Sequence, residues 1–308
     1  MSMGLFRILD EVLTQATTSI CRAFGINEDE AIHRTREYLG KNSAAYYADN
    51  SQLEYQDPLC RIAYLYSYVC AHANLVDNAC CYLSNLQAFL RDKLDREATL
   101  NVCSLGGGPG SELLGLVKFI DRGQEPGKQV YVDFALVDSV REWDETWQAL
   151  LRGIEATFSA NYGQSPRNWP AIIQRSFLPL DLTRLEDFKH LPTRFQDIEL
   201  FIFNHTLSEL LSHRTTFEQV VCHLASLATH GTYFLIIDRH QQEVCELAHT
   251  VIYNAGLRPL EFRVEQTNMD FDEQVTDLGI WFDHMGRSPK LKWNAFFFLA
   301  QKPIDNNF

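Results

Sequence analysis

Three glycines at alternate positions, Gly106, Gly108 and Gly110, lie in "LNVCSLGGGPGSELLG", between an apolar run and an amphipathic one. Glycine is retained in such a turn where the chain needs φ > 0 or where something must approach the backbone closely. The surrounding residues narrow the choice of ligand. No GK[ST] follows the loop, which argues against a nucleoside-triphosphate P-loop, and a dinucleotide G-x-G-x-x-G beginning at Gly106 would need a small apolar residue where Ser111 stands. The pattern left is G-x-G-x-G, stiffened by Pro109. Two further residues stand where chemistry is usually done. Asp138 closes the apolar run "VYVDFALVD", and His205 follows "IELFIFN". Eight cysteines are scattered without a CxxC pair, so neither a zinc site nor a dithiol redox motif is expected, and no metal is predicted. Cys222 and Cys245 fall in helical patterns and are assigned to the core.

The elements that must position these residues change character near residue 98. Before it the periodicity is helical. Leu5, Leu9, Val12, Leu13, Ala16 and Ile20 form one stripe that stops at Gly25, and "EDEAIHRTREYL" reads as a short helix ending at Gly40. Asp57 before Pro58 reads as an N-cap, and "LVDNACCYLSNLQAFLRDKL" carries another apolar face. After it come seven runs of strand formers: "LNVCSL", "VYVDFALVD", "AIIQRSFL", "IELFIFN", "GTYFLIID", "PLEFRVEQ" and "LKWNAFFFLA". Helical patterns separate them at 111–121, 141–157, 214–229 and 241–255, whereas the last two runs are joined without one, as an antiparallel pair. The expected fold class is α/β: a doubly wound, mostly parallel seven-stranded sheet with helices on both faces, preceded by an all-helical N-terminal region. The expected division is 1–97, a helical lid or substrate region, and 98–308, a Rossmann-like domain.

With that element order, "VCSLGGGPGSELLG" resembles the first motif of class I S-adenosylmethionine-dependent methyltransferases, and the resemblance covers residues 99–301. It implies S-adenosyl-L-methionine as cofactor, with contacts from Gly106, Gly108, Gly110, Glu112, Asp138, Asp181 and Asn204. Asp138 would accept from the ribose hydroxyls and could also cap the helix from 141; Asp181 would read the adenine amino group. The chain departs from the family pattern at Ser104, where an acid usually helps hold the methionine end, and Glu112 is the candidate replacement. The resemblance puts the acceptor over the ends of the fourth and fifth strands. There His205 has the chemistry of a base near neutrality, with Glu209 one turn on to orient it. Asp238, Arg239 and His240 end the fifth strand as candidate substrate contacts, and Trp281 and His284 could reach the rim. Among Tyr64, Tyr66 and Tyr68 not all can share one helical face; Tyr46, Tyr47 and Asp49 are possible lid contacts. No [DN]-P-P-[FY] signature follows the fourth strand: His205 and Thr206 come after Asn204. "AYLYSYVCAHANL" followed by "GGGPGSELLG" is also similar, over short stretches, to fungal ribosomal RNA uridine-N3 methyltransferases.

Composition bounds the partners. Hydrophobic residues at 46% can build a sizeable core, while a formal net charge of −13 disfavours generic nucleic-acid binding through counterion release. The short basic stretch "GRSPKLKW" reads as a solvated hairpin. Asp10 and Glu11 interrupt any secretory core, and no apolar run reaches membrane-spanning length, so a cytoplasmic location is expected, the nucleus remaining open. The expected acceptor is a small molecule or a protein side chain. RNA, or a catalytically silent partner subunit of the same fold, is the alternative.

Overall fold

The computed structural model describes residues 3–47, 53–123, 125 and 128–304. Seven strands form one sheet: β1 (Thr99–Leu105), β2 (Val130–Val137), β3 (Ala171–Leu178), β4 (Leu200–Asn204), β5 (Tyr233–Arg239), β6 (Arg258–Asn268) and β7 (Lys292–Gln301). Their spatial order is β3-β2-β1-β4-β5-β7-β6, the first five parallel and β7 antiparallel to both its neighbours. Strand order reverses between β1 and β4, which opens a crevice at their carboxyl ends where ligands of doubly wound sheets bind. β4 is buried throughout, as a central strand covered on both faces must be.

Four helices precede the sheet: α1 (Leu5–Phe24), α2 (Glu28–Tyr47), α3 (Pro58–Tyr82) and α4 (Ser84–Asp95). The buried stripe of α1 ends where Gly25 turns left-handed at φ +65°. Asp57 caps α3 by accepting the Leu59 N–H at 2.8 Å, with Pro58 in the first turn. The expected stop at Gly40 is not taken. Gly40 is absent from the left-handed glycines, and α2 runs on to Tyr47, its stripe of Ala31, Ile32, Thr35 and Leu39 being buried. Tertiary packing thus outweighs one poor helix former, whose penalty is ~1 kcal/mol.

Between the strands lie α5 (Ser111–Gly123), α6 (Trp143–Tyr162), the short α7 (Leu185–Lys189) and α8 (Pro192–Phe195), α9 (Thr206–Glu209), α10 (Arg214–Leu227) and α11 (Gln242–Asn254). The last two strands are not joined by a plain loop. Two short helices, α12 (Phe271–Leu278) and α13 (Ile280–Met285), intervene, the first capped by Asp270. Two apolar clusters flank the sheet. One gathers Phe217, Val221 and Leu224 of α10 with Val244 and Ile252 of α11. The other combines Leu9, Leu65 and Val76 of the N-terminal helices with Leu116 of α5 and Ile154 of α6. Gly115 makes the closest part of this packing possible, because a Cβ there would collide with the Ala73 carbonyl of α3. That contact fixes α3 above the crevice.

Three local assignments change. Loop 286–291 is not a free hairpin: the Lys290 N–H donates to Ser67 O at 2.9 Å and the Tyr66 hydroxyl to Arg287 O at 2.5 Å, so it is strapped to α3. Trp281 and His284 do not form the rim; Trp281 Nε1 donates to Thr14 Oγ1 at 3.2 Å and the His284 carbonyl accepts from Arg36, which hold α13 to α1 and α2. Cys222 and Cys245 lie in α10 and α11 but are only half-buried, at the edge of the core.

Candidate active site

The glycine loop is tied to the sheet before any ligand is considered. The Gly106 and Gly107 N–H groups both donate to Val137 O, at 2.8 and 3.3 Å. Gly106, Gly108 and Gly110 take φ of +70°, +48° and +87°, conformations that disfavour any side chain. The Gly108 N–H then donates to Asp138 Oδ2 at 2.9 Å, while Asp138 Oδ1 accepts the Val140 N–H at 2.9 Å. The half-buried Asp138 therefore holds the loop and the approach to α6 together. Burial pushes its carboxyl up to about 6, with the Val140 and Gly108 N–H groups pulling the other way and Asp181 adding repulsion. Asp181 is nearby, but its Oδ1 is spent on its own turn, accepting from the Thr183 N–H at 2.8 Å and hydroxyl at 2.7 Å.

Below the loop lies the feature that Ser104 left unexplained. Glu112, in the first turn of α5, is 1% exposed, and its Oε1 accepts from Asn204 Nδ2 at 3.0 Å and from the Ser111 hydroxyl at 2.9 Å. Its Oε2 is buried without a hydrogen-bond partner and faces the space beneath Gly107, together with the Ser104 hydroxyl. Burial pushes this carboxyl up to about 7 despite the donors around it. Asn204 also donates to His72 O at 3.4 Å, joining the end of β4 to α3. The helix thus returns a carboxylate to the glycine loop from which the strand's own position has lost one. A buried carboxylate oxygen with no donor is suited to a ligand ammonium. With Asp138 at the other end of the loop, these residues fit S-adenosylmethionine.

At the carboxyl end of β4 His205 is buried, with a left-handed backbone (φ +59°) pinned by its N–H donating to Ile237 O at 2.8 Å. Its Nδ1 lies 3.5 Å from Asp238 Oδ1, and Asp238 Oδ2 accepts the Ser208 N–H at 3.0 Å. The carboxylate that meets His205 is therefore Asp238, where the sequence had suggested Glu209. The sequence places Glu209 one turn on from His205, but Asp238 comes from the neighbouring strand end, which sequence spacing cannot show. Burial pulls the imidazole below its usual range, with Asp238 opposing. Arg239 is half-buried and His240 exposed.

Behind His205 stands an aromatic wall. His72 stacks on it with ring centroids 4.4 Å apart and planes at 21°, and Trp293 of β7 is 4.4 Å away. Tyr64 and Tyr68 share the face of α3 with His72 at a spacing of four, Tyr66 pointing instead to loop 286–291. Lys290 Nζ sits 3.6 Å above the Trp293 ring, its ammonium pulled down to about 8 by burial and by Arg239. Tyr55 packs on Tyr64 and on Trp143, the residue against which Gly108 lies. The side chains of Tyr46 and Tyr47, and all of Asp49, lie outside the described residues. Sequence reading missed Tyr55, His72, Lys290 and Trp293. The four-residue rhythm Tyr64–Tyr68–His72 was the one signal available.

A family model described as "Putative SAM-dependent methyltransferase" matches residues 43–242, from the end of α2 through the glycine loop to the start of α11. The chain belongs to this family. Membership makes it an S-adenosylmethionine-dependent methyltransferase. No curated protein sequence matches it. Among solved structures it is similar to an O-methyltransferase family protein from Burkholderia thailandensis, with 14% identity, 90% of this chain and 71% of that one covered, and a TM-score of 0.44. Mitomycin 7-O-methyltransferase gives 14% identity, 88% and 67% coverage and 0.42, and a SAM-dependent methyltransferase from Methanosarcina mazei gives 12%, 70% and 98%, and 0.41. Among the described residues no group of His, Cys, Asp and Glu could hold a metal ion, and no helix is long and apolar enough to cross a membrane.

Proposed function

We propose that this methyltransferase acts on a small-molecule or protein side-chain nucleophile bound beneath its N-terminal helices, residues 1–97 serving as the lid over a cofactor domain at 98–308. The cofactor supplies an electrophilic methyl group on a sulfonium, which an in-line lone pair can take. Gly106, Gly108 and Gly110 give it backbone room, Asp138 receives the ribose hydroxyls and Glu112, steadied by Asn204, receives the methionine ammonium. Asp181 closes the adenine side through its turn. His205, kept in one orientation by Asp238, stands on the acceptor side with a neutral imidazole, able to receive a proton or a hydrogen bond from the acceptor. The aromatic wall of Tyr64, Tyr68, His72 and Trp293 favours a flat acceptor and keeps water from the reacting groups. The observation that supports the cofactor half of this reading is the partnerless Glu112 Oε2 beneath Gly107; the acceptor half rests on the aromatic wall around His205 and the net charge of −13.

The second reading is a uridine-type base in RNA. It draws support from Lys290 and Arg239, two cations beside His205 on a chain of net charge −13. Transfer of labelled methyl from S-adenosylmethionine into separate pools of metabolites, proteins and total RNA tests both. Label in metabolites or protein is expected, and label confined to RNA would select the second reading. S-adenosylhomocysteine binding without transfer to any pool would mark a silent partner subunit.

A further inference from the structure

Two imidazoles lie face to face at the carboxyl end of β4. His72 of α3 and His205 are both buried, with ring centroids 4.4 Å apart and planes at 21°. Trp293 of β7 packs on both, its centroid 4.4 Å from His205 and 5.1 Å from His72. Tyr68 also stacks on His72, with centroids 5.9 Å apart and planes at 22°. The backbone beneath His72 is fixed as well. Its carbonyl accepts from Asn204 Nδ2 at 3.4 Å, and Gly115 lets α5 close on the carbonyl of Ala73. Such a stack supplies what a lone histidine lacks. The χ2 torsion of histidine is broad and roughly two-fold, so a rotamer does not set the plane of the ring. Asp238 Oδ1, 3.5 Å from His205 Nδ1, selects which edge of the ring meets β5, but one contact at an edge leaves the ring able to tilt. The flat contact with His72 removes that tilt.

We propose that His72 is a positioning residue for His205: as an uncharged plate it fixes the plane of that imidazole, so that His205 keeps its N–H on Nδ1 against Asp238 and presents an unprotonated Nε2. The inference rests on the reading of His205 as proton acceptor and names what keeps it ready. A charged His72 would spoil the arrangement, because it would repel a proton arriving on His205. Its surroundings prevent that. The Tyr64 hydroxyl stands 3.5 Å from His72 Nδ1, while Nε2 is buried and among the described residues has no hydrogen-bond partner. An imidazolium there would carry a buried, unsatisfied N–H, whereas the neutral ring leaves only a lone pair. Burial, His205 and Lys290 accordingly hold His72 well below the usual imidazole range. Besides Asp238, two charges face His205: Lys290, which lies over Trp293, and Arg239, both of which disfavour a proton on it. Glu112 is linked to His72 through Asn204, whose amide joins Glu112 Oε1 to the His72 carbonyl.

Nitrogen NMR of the histidine rings in the full chain tests this at pH 8 and pH 6, the two rings being assigned by their loss in His72→Phe and His205→Asn. In the wild type at pH 8, His205 should show a single tautomer protonated on Nδ1, and His72 should be neutral at both pH values. His72→Phe keeps a flat ring and should retain the His205 tautomer. In His72→Ala the Nδ1-protonated share should fall from nearly all to about half, as expected for a ring released to its two-fold torsion. Labelled-methyl transfer into the pool that the wild type labels should drop at least about tenfold in His72→Ala, and less in His72→Phe. A His72 ring that takes up a proton between pH 8 and pH 6 in the wild type, or an unchanged His205 tautomer in His72→Ala, overturns the proposal. If His72→Ala does not fold, a wild-type His205 protonated on Nε2, or with mixed tautomers, overturns it. Undiminished methyl transfer by His205→Asn would instead overturn the reading of His205 as proton acceptor.

Discussion

Replacing Glu112 by glutamine should make the ligand-free protein more stable and the methyl-donor site worse. In the fold this carboxyl moves from its ordinary 4.5 to about 7, chiefly by burial, so its ionised form is held at a cost of about 3 kcal/mol. An unfolded chain ionises the same group near pH 4.3. Between that value and about 7 the folded state therefore carries the extra proton. The contribution of Glu112 is accordingly most favourable below about pH 4, declines as pH rises to 7, and stays low above it. Glutamine fits the same volume. Its oxygen can keep the bonds from Asn204 and Ser111, and its amide nitrogen replaces the orphaned Oε2 and points towards the Ser104 hydroxyl, a possible acceptor. We expect Glu112→Gln to gain about 1–3 kcal/mol at pH 8, several degrees in melting temperature, and close to nothing at pH 5. The amide carries no negative charge and turns a donor towards the ammonium in place of Oε2, so affinity for S-adenosylhomocysteine should drop at least about tenfold. Urea unfolding at the two pH values, with ligand calorimetry at pH 8, reads both effects. A variant less stable than wild type at pH 8, or one that binds the ligand unchanged, refutes the argument that Glu112 is a charge kept at the expense of stability.

The loop glycines should separate by role. A Cβ on Gly110 would overlap the fully buried Trp147 indole at φ +87°, so Gly110→Ala should lose about 2–5 kcal/mol in ligand-free unfolding. Gly108→Ala meets Trp143 only at 3.6 Å and should lose about 1–2 kcal/mol from backbone strain alone. Arg61, 5% exposed, donates to Tyr55 O at 2.8 Å and Gln56 O at 3.0 Å and reaches Glu145 of α6 at 3.5 Å. Arg61→Leu should free this segment, and limited proteolysis within 53–57 should quicken at least about tenfold.

Much of this was legible in the chain, and the reasons differ by residue. The switch from helical to strand periodicity near 98 gave the sheet, because parallel strands covered on both faces are near-continuous apolar runs. Asp138 could be read because a strand end and a glycine loop stand in local sequence relation to it. The Asp238–His205 contact could not, since it joins the ends of β4 and β5 across 33 residues, nor could the stacking of His72 on His205 from a helix 133 residues earlier. Helices α12 and α13 were hidden because each is too short, at 8 and 6 residues, to establish a period. Loop 286–291 looked solvated because its charges are visible in sequence, whereas its backbone bonds to α3 are not.

Central to the function is the grip of the loop and Asp138 on an adenosyl ligand. Titration of S-adenosylhomocysteine into the wild type and into Asp138→Ala, with thermal melts to show that both are folded, measures it directly. We predict saturable one-to-one binding to the wild type and at least about tenfold weaker binding to the variant, which lacks both the ribose acceptor and the Gly108 latch. No binding by the folded wild type, or equal affinity in the two proteins, would contradict the account.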